Sequence, residues 1–198
     1  MYTPKLYSQY LGWSFTSNLV VGVEVALGTH CTLKVLDEFD SSEVRTWTYL
    51  GKDIFGQLGA LGYLSKMSVL ADAEPKRFTK YAHILQQSGF MLIFCTPFAD
   101  SLYYLPMASV ANICSNISFV GIGAVNAKCI KKLSEPYNNL GEIYAKLALS
   151  NTLASTVGMG IGMLLLNIVP DAEYRLWVTP ILVAVRIISF SNALRGLI

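Results

Sequence analysis

Chemistry in this chain would have to rest on very few side chains. There are two histidines, His30 and His83, and four cysteines, Cys31, Cys95, Cys114 and Cys129, spaced 64, 19 and 15 residues apart with no C-x-x-C pair. A tetrahedral zinc site needs paired, closely spaced ligands, so no metal site is expected. The cysteines read as small buried apolar residues, because disulfide scaffolds are shorter and denser in Cys. No G-x-S-x-G is present, and a Ser–His–Asp triad would have to recruit one of two histidines that adjoin apolar stretches. Each is expected to make a single polar contact at a helix end or between helices. G-I-G-A-V-N at 121–126 and G-M-G-I-G at 158–162 fall short of G-x-G-x-x-G, and no G-K-[ST] occurs. No catalytic, cofactor-binding or metal-binding residue is therefore assigned, and no cofactor is expected.

What remains is polar groups in apolar surroundings. Lys52 and Asp53 lie in an otherwise apolar stretch at 47–70, where an unpaired charge in lipid would cost several kcal/mol. Adjacent helical residues diverge by about 100°. Each is thus expected to need its own partner, or to mark a helix boundary with the membrane entered only after Ile54. Asn112 and Asn116 share a helix face, where they could line a polar path or hydrogen-bond to a neighbouring helix.

The elements that position these groups emerge from the charge map. Of 198 residues, 53% are hydrophobic and 14% charged, against about 45–50% and about 25% in soluble domains. Disorder and a coiled coil are excluded on composition. Fifteen basic against 13 acidic residues leave +2, too small an excess for a nucleic-acid platform. Four runs carry no charge at all: 6–23, 81–99, 101–127 and 147–170. A soluble helix meets a charge every turn or two. A helix of 24 residues reaches roughly 36 Å, enough to cross a hydrocarbon core of about 30 Å. Burying such helices in a soluble core would need a surrounding layer that a chain of this size cannot build. The expectation is an all-α polytopic membrane protein, a single domain over 1–198 with about five or six membrane-embedded helices. The runs at 81–99 and 101–127 are expected to form a hairpin, placing the basic clusters at 66–80 and 128–146 on one side of the bilayer. The last segment, 176–198, is interrupted by Pro180, Arg186 and Arg195 and is expected at the interface. Residues 1–12 carry one Lys and no Arg, unlike an organellar presequence.

In lipid, helices associate through close backbone approach, which calls for small residues one turn apart. Ser150, Ala154, Gly158 and Gly162 form one such ladder and Ser14, Asn18, Gly22 and Ala26 a second. Gly56, Gly59 and Gly62 form a third at three-residue spacing. They imply tight packing, either within the chain or against a partner subunit.

Five colinear motifs complete the reading. Trp47 is followed by K-D-I-F-G at 52–56 and by Gly59, and K-R-F-T-K-Y-A-H-I-L occupies 76–85. G-I-G-A-V-N-A fills 121–127, N-L-G-E-I-Y-A-K fills 139–146, and N-A-L-R fills 192–195. Over about residues 8–195 this order resembles the root UV-B sensitive (RUS) family, with its K-D-G-x-G-x-x-G, K-x-W-R-x-x-A-D-I-L, G-G-A-T-R-A, N-x-A-D-V-S-A-K and L-N-x-x-R segments. The family's polar positions kept here are Lys52, Asp53, Lys76, Glu142 and Lys146. Elsewhere Ile54 replaces Gly, Thr79 replaces Arg, His83 replaces Asp, Val125–Asn126 replaces Thr–Arg, and 147–151 is apolar or neutral where the family is polar. The resemblance implies a divergent, C-terminally short member, a eukaryotic organelle-associated membrane protein with no established reaction, in a family linked to plastids, light responses and vitamin B6 balance. A framework kept without its polar residues implies a non-catalytic structural or accessory subunit. It would pack against other membrane subunits in the lipid bilayer of an organelle, the mitochondrial inner membrane before the plastid or endoplasmic reticulum. The alternative is a small-solute carrier or membrane factor linked to vitamin B6 or other metabolite balance, using Asn112, Asn116, Lys52 and Asp53.

Overall fold

The computed structural model describes residues 4–39, 41–136, 138–169, 172–195 and 197, and leaves aside the side chains of 4, 64–72, 76 and 172–175. Among the described residues six helices follow one another: α1 (Pro4–Leu36), α2 (Ser42–Ala73), α3 (Pro75–Cys95), α4 (Tyr104–Ser134), α5 (Leu140–Ile168) and α6 (Ala172–Leu194). No strand occurs among the described residues. The starts and stops follow local chemistry. Pro75 opens α3 at a position where its missing N–H is not needed. Between α3 and α4 the chain turns through two short 3₁₀ segments, the second capped by Asp100, whose carboxylate accepts from the Leu102 N–H at 3.0 Å. Lys131 and Lys132 occupy the last turn of α4, where cations complement the helix dipole. Asn138 takes a left-handed backbone before α5, which asparagine tolerates better than most residues.

Close approaches fix the packing. A Cβ on Gly22 would run into the Ser155 carbonyl, and one on Gly158 into the Leu19 carbonyl. At Gly162 a Cβ would stand 2.6 Å from that of Ala26. The two four-member ladders therefore face each other, with α1 and α5 parallel and backbone almost on backbone. Ser14 extends the seam by donating to Asn151 Oδ1 at 3.1 Å. On α2, Gly56 and Gly59 admit Asn112 and Ile113 of α4, whereas a Cβ at Gly62 would meet nothing within 4 Å. Gly89 lets α3 approach the Ala111 carbonyl of α4, and Gly121 seats Phe78. These two contacts run in opposite directions along the chain, so 81–99 and 101–127 do form a hairpin.

Successive helices thus alternate in direction. The starts of α1, α3 and α5 share one end of the bundle with the finishes of α2, α4 and α6. That end carries Lys5, Arg77, Lys80, Lys128, Lys131, Lys132, Lys146 and Arg195, against Glu74, Glu135 and Glu142. The other end carries Lys34 and Arg45 against Asp37, Glu38, Glu43 and Asp100.

Among the described residues four helical segments are long and apolar enough to cross a membrane: Lys5–Leu36, Ser101–Ser134, Leu140–Ile168 and Leu176–Leu194. Among the described residues there are six helices, and four of them, not the five or six expected, have that character. The last segment, expected at the interface, is one of them by length and hydropathy, and its Arg186 is buried inside the bundle. Large apolar side chains point outward all around, among them Leu149 (72% exposed), Ile168 (74%) and Trp177 (78%). Soluble monomers rarely leave so continuous an apolar surface uncovered.

Candidate functional site

Near mid-height, between an apolar cluster around Tyr10, Val125 and Leu147 and another around Val23, Leu27 and Phe94, the interior turns polar. Three helices contribute. Glu24 of α1 and Arg186 of α6 are both buried, and the Arg186 Nη1 donates to Glu24 Oε2 at 2.9 Å. The second guanidinium nitrogen, Nη2, donates to Gln86 Oε1 of α3 at 2.6 Å, and Gln87 Nε2 donates to Glu24 Oε2 at 3.4 Å. All four side chains are buried.

This network is only partly satisfied. Glu24 Oε1, Gln87 Oε1 and Arg186 Nε are buried without a hydrogen-bond partner among the described residues. His83, one turn before Gln87, is also buried. Its ring lies 4.1 Å from that of Phe190 at 55°, and neither ring nitrogen has a hydrogen bond there. The single polar contact expected of His83 is replaced by this aromatic one. Each such orphaned atom costs about 1–3 kcal/mol. A buried ion pair is also no better for stability than well-packed apolar residues. Packing alone does not account for this cluster, and ionisable groups inside apolar helix bundles are candidates for a functional site.

A second polar group lies where α2 meets α4. Lys52 Nζ and Asp53 Oδ1 pair at 2.7 Å, which overturns the expectation that each would need its own partner. The lysine's flexible stem spans the angle between the two positions, and its ammonium rests 4.1 Å from the Tyr49 ring centre. Both residues sit inside α2 and not at its boundary. Asn112 Nδ2 donates to Asp53 Oδ1 at 2.8 Å and to the Lys52 carbonyl at 3.2 Å, through the gap that Gly56 leaves. A cavity of about 410 Å³ opens beside this group, lined by Thr29, Thr32, Tyr49, Lys52, Asn112 and Ser115 among others.

Of the other family-motif positions, Glu142 and Lys146 form an exposed i, i+4 ion pair at the start of α5, with Asn139 Nδ2 donating to Glu142 at 3.4 Å. The Lys76 side chain lies outside the described residues. No hydrogen bond or ion pair among the described residues joins the α2 pair to the α5 pair. The motif residues are therefore not drawn into one site. The residues that do converge, Glu24, Gln86, Gln87 and Arg186, were not singled out from the sequence. The available signal was two lone, opposite charges, each isolated within a long apolar segment. Among the described residues no His, Cys, Asp and Glu side chains group as a metal centre would require.

Relatives give this geometry a context. Residues 3–197 match the family model described as the vitamin B6 photo-protection and homoeostasis domain. The chain is 25% identical to protein root UVB sensitive 5 of Arabidopsis thaliana over 171 residues, covering 81% of this chain and 33% of that protein. It is 23% identical to RUS family member 1 of Dictyostelium discoideum over 176 residues, 86% of this chain and 33% of the relative. To root UVB sensitive 2, chloroplastic, of Arabidopsis thaliana, it is 29% identical over 150 residues, 75% and 34% of the two lengths. No solved structure matches the chain. The chain spans about a third of the length of these relatives, and none of the three names is that of an enzyme. With residues 3–197 matched by the family model, and with the glycine-framed helices that carry its motifs in place, the chain belongs to the root UVB sensitive (RUS) family.

Proposed function

We propose that the chain is a non-catalytic, membrane-embedded component of vitamin B6 homoeostasis, serving as an accessory subunit in an organellar membrane. The observation that carries this reading is the surface. Apolar side chains cover the bundle's flanks, exposed Trp47, Tyr103 and Trp177 ring one end, and Tyr81 and Tyr144 stand near the other. Aromatic belts of this kind sit at headgroup level. The basic end then faces the side from which membrane proteins are inserted, as positive-inside bias requires. Because both four-member ladders are closed within the chain, a partner subunit would dock on the outward faces of α5 and α6.

Native gels in mild detergent test the accessory role. A particle heavier than one chain is expected, and migration solely as a monomer would overturn it. The organelle is proposed on the family alone. Fractionation that places the chain in the mitochondrial inner membrane would support the first choice, and a plastid envelope location would replace it, in line with the chloroplastic relative.

A second reading, a small-solute carrier, is favoured by the cavity that reaches Asn112 and Lys52. Uptake of labelled pyridoxine into proteoliposomes, lost with Asn112→Leu, would support it. Equal uptake by empty vesicles would dismiss it.

A further inference from the structure

The buried guanidinium of Arg186 has a second environment besides Glu24. It closes the floor of a larger cavity, about 700 Å³, bounded mainly by α4 and α5 and reaching α1, α3 and α6. Those two long helices touch only marginally, so the space between them stays open. Its size falls within the roughly 300–1,000 Å³ usual for small-molecule sites.

We propose that this cavity binds a small molecule through an oxyanion, a phosphate or a carboxylate. Three carboxamides on its wall have their oxygens engaged by the protein. Asn126 Oδ1 accepts from the Tyr10 hydroxyl at 3.1 Å, Asn151 Oδ1 from the Ser14 hydroxyl at 3.1 Å, and Gln86 Oε1 from Arg186 at 2.6 Å. Their NH₂ groups are the ends left for a ligand. Only Asn18 is turned the other way, donating to the Ser14 carbonyl at 2.8 Å and offering its oxygen. The wall is therefore donor-rich. Among the described lining residues Arg186 is the one charged side chain and none is a carboxylate. Glu24 lies off the wall, holding the guanidinium in place and offsetting part of its charge.

The approach has the matching sign. Asn126, Ala127 and Leu147 of the lining stand within a turn of Lys128, Lys131 and Lys146, at the basic end of the bundle. Lys146 is paired with Glu142, but basic residues outnumber acidic ones at this end, and such an excess concentrates counter-charged solutes. Exposed Phe119 and Tyr144 flank the opening and offer ring faces to the body of the ligand. The oxyanion can belong to a free solute or to a lipid headgroup, since the opening lies between two apolar helices. This site is separate from the cavity at Asn112, so binding here can fail while uptake through that cavity persists.

Calorimetric titration in maltoside micelles, which contain no phosphate, tests the proposal. Three probes are used: pyridoxine 5′-phosphate, which lacks the aldehyde that would label lysines, uncharged pyridoxine, and dihexanoyl phosphatidic acid. At least one phosphate is expected to bind about tenfold or more tighter than pyridoxine. The cavity-filling variant is Gly123→Phe, at a lining position where a Cβ would meet nothing within 4 Å. It is expected to lower that affinity by about tenfold or more. Gly160→Phe, equally open but away from the cavity, should bind as the parent does. Binding of the pyridoxine phosphate alone assigns a free solute, and binding of the phosphatidate alone assigns a headgroup. Equal binding of pyridoxine and its phosphate, phosphate binding that survives Gly123→Phe, or no binding by a chain that melts cooperatively in the same micelles would each overturn it.

Discussion

Helix α1 meets its neighbours in two different ways. Toward α5 it shows Ser14, Asn18, Gly22 and Ala26, and the two backbones come so near that a single methyl group would not fit at Gly22 or Gly158. Toward α3 and α6 the same helix shows Glu24, whose carboxylate is held by Arg186 and Gln87 but left with one oxygen unpaired. The first contact is close-packed and stabilising chiefly through dispersion, with the Ser14–Asn151 hydrogen bond added. The second is polar, incompletely satisfied and a net cost in an apolar interior. The small-residue seam holds the bundle together, whereas the polar cluster is what a function would need held.

Substitutions can separate these two roles, and the seam should respond most. Gly158→Leu places a branched side chain against the Leu19 carbonyl, so two backbones must part. The penalty should exceed the roughly 1–3 kcal/mol of ordinary overpacking. Loss of a cooperative melt, read by circular dichroism in micelles, is expected, and a parent-like melt would show that the ladders do not form the α1–α5 seam.

The polar cluster comes next. Glu24→Ala leaves Arg186 buried without its carboxylate and is expected to cost about 3–5 kcal/mol by denaturant titration in micelles. Removing both charges, Glu24→Leu with Arg186→Leu, should restore most of that loss. A double variant as unstable as the single one would mean that the pair itself stabilises the fold.

A smaller response is expected where α2 meets α4. Asn112→Leu removes the donor that Asp53 and the Lys52 carbonyl share, for a loss of about 1–3 kcal/mol in the same titration. Glu142→Ala breaks only the exposed pair with Lys146 and should leave the midpoint unchanged.

The seam was legible in the sequence because each of its halves is written on one helix, at a fixed spacing of four. That the two halves face each other was not legible, since nothing local says which ladder meets which. The polar cluster was hidden for the same reason in stronger form: Glu24 and Gln87 are 63 positions apart, and Glu24 and Arg186 are 162 apart. Read singly, Glu24 ends an uncharged run and Arg186 interrupts one. Only the demand that a lone charge in an apolar helix find its opposite connects them. Lys52 and Asp53 show the converse error. Helical geometry separates their Cβ directions, but a four-carbon stem is long enough to bring the ammonium back. The family motifs located the framework well and the site poorly, because most motif positions that survive here lie on separate helices and do not converge.

Every functional reading above depends on lipid covering the flanks that carry Leu149, Ile168 and Trp177. The direct measurement is sedimentation of the expressed chain from broken cells after an alkaline carbonate wash, followed by extraction with and without detergent. Retention in the membrane pellet, with release only into detergent, is the result expected. A folded, monodisperse chain in the carbonate supernatant or in plain buffer would contradict the account.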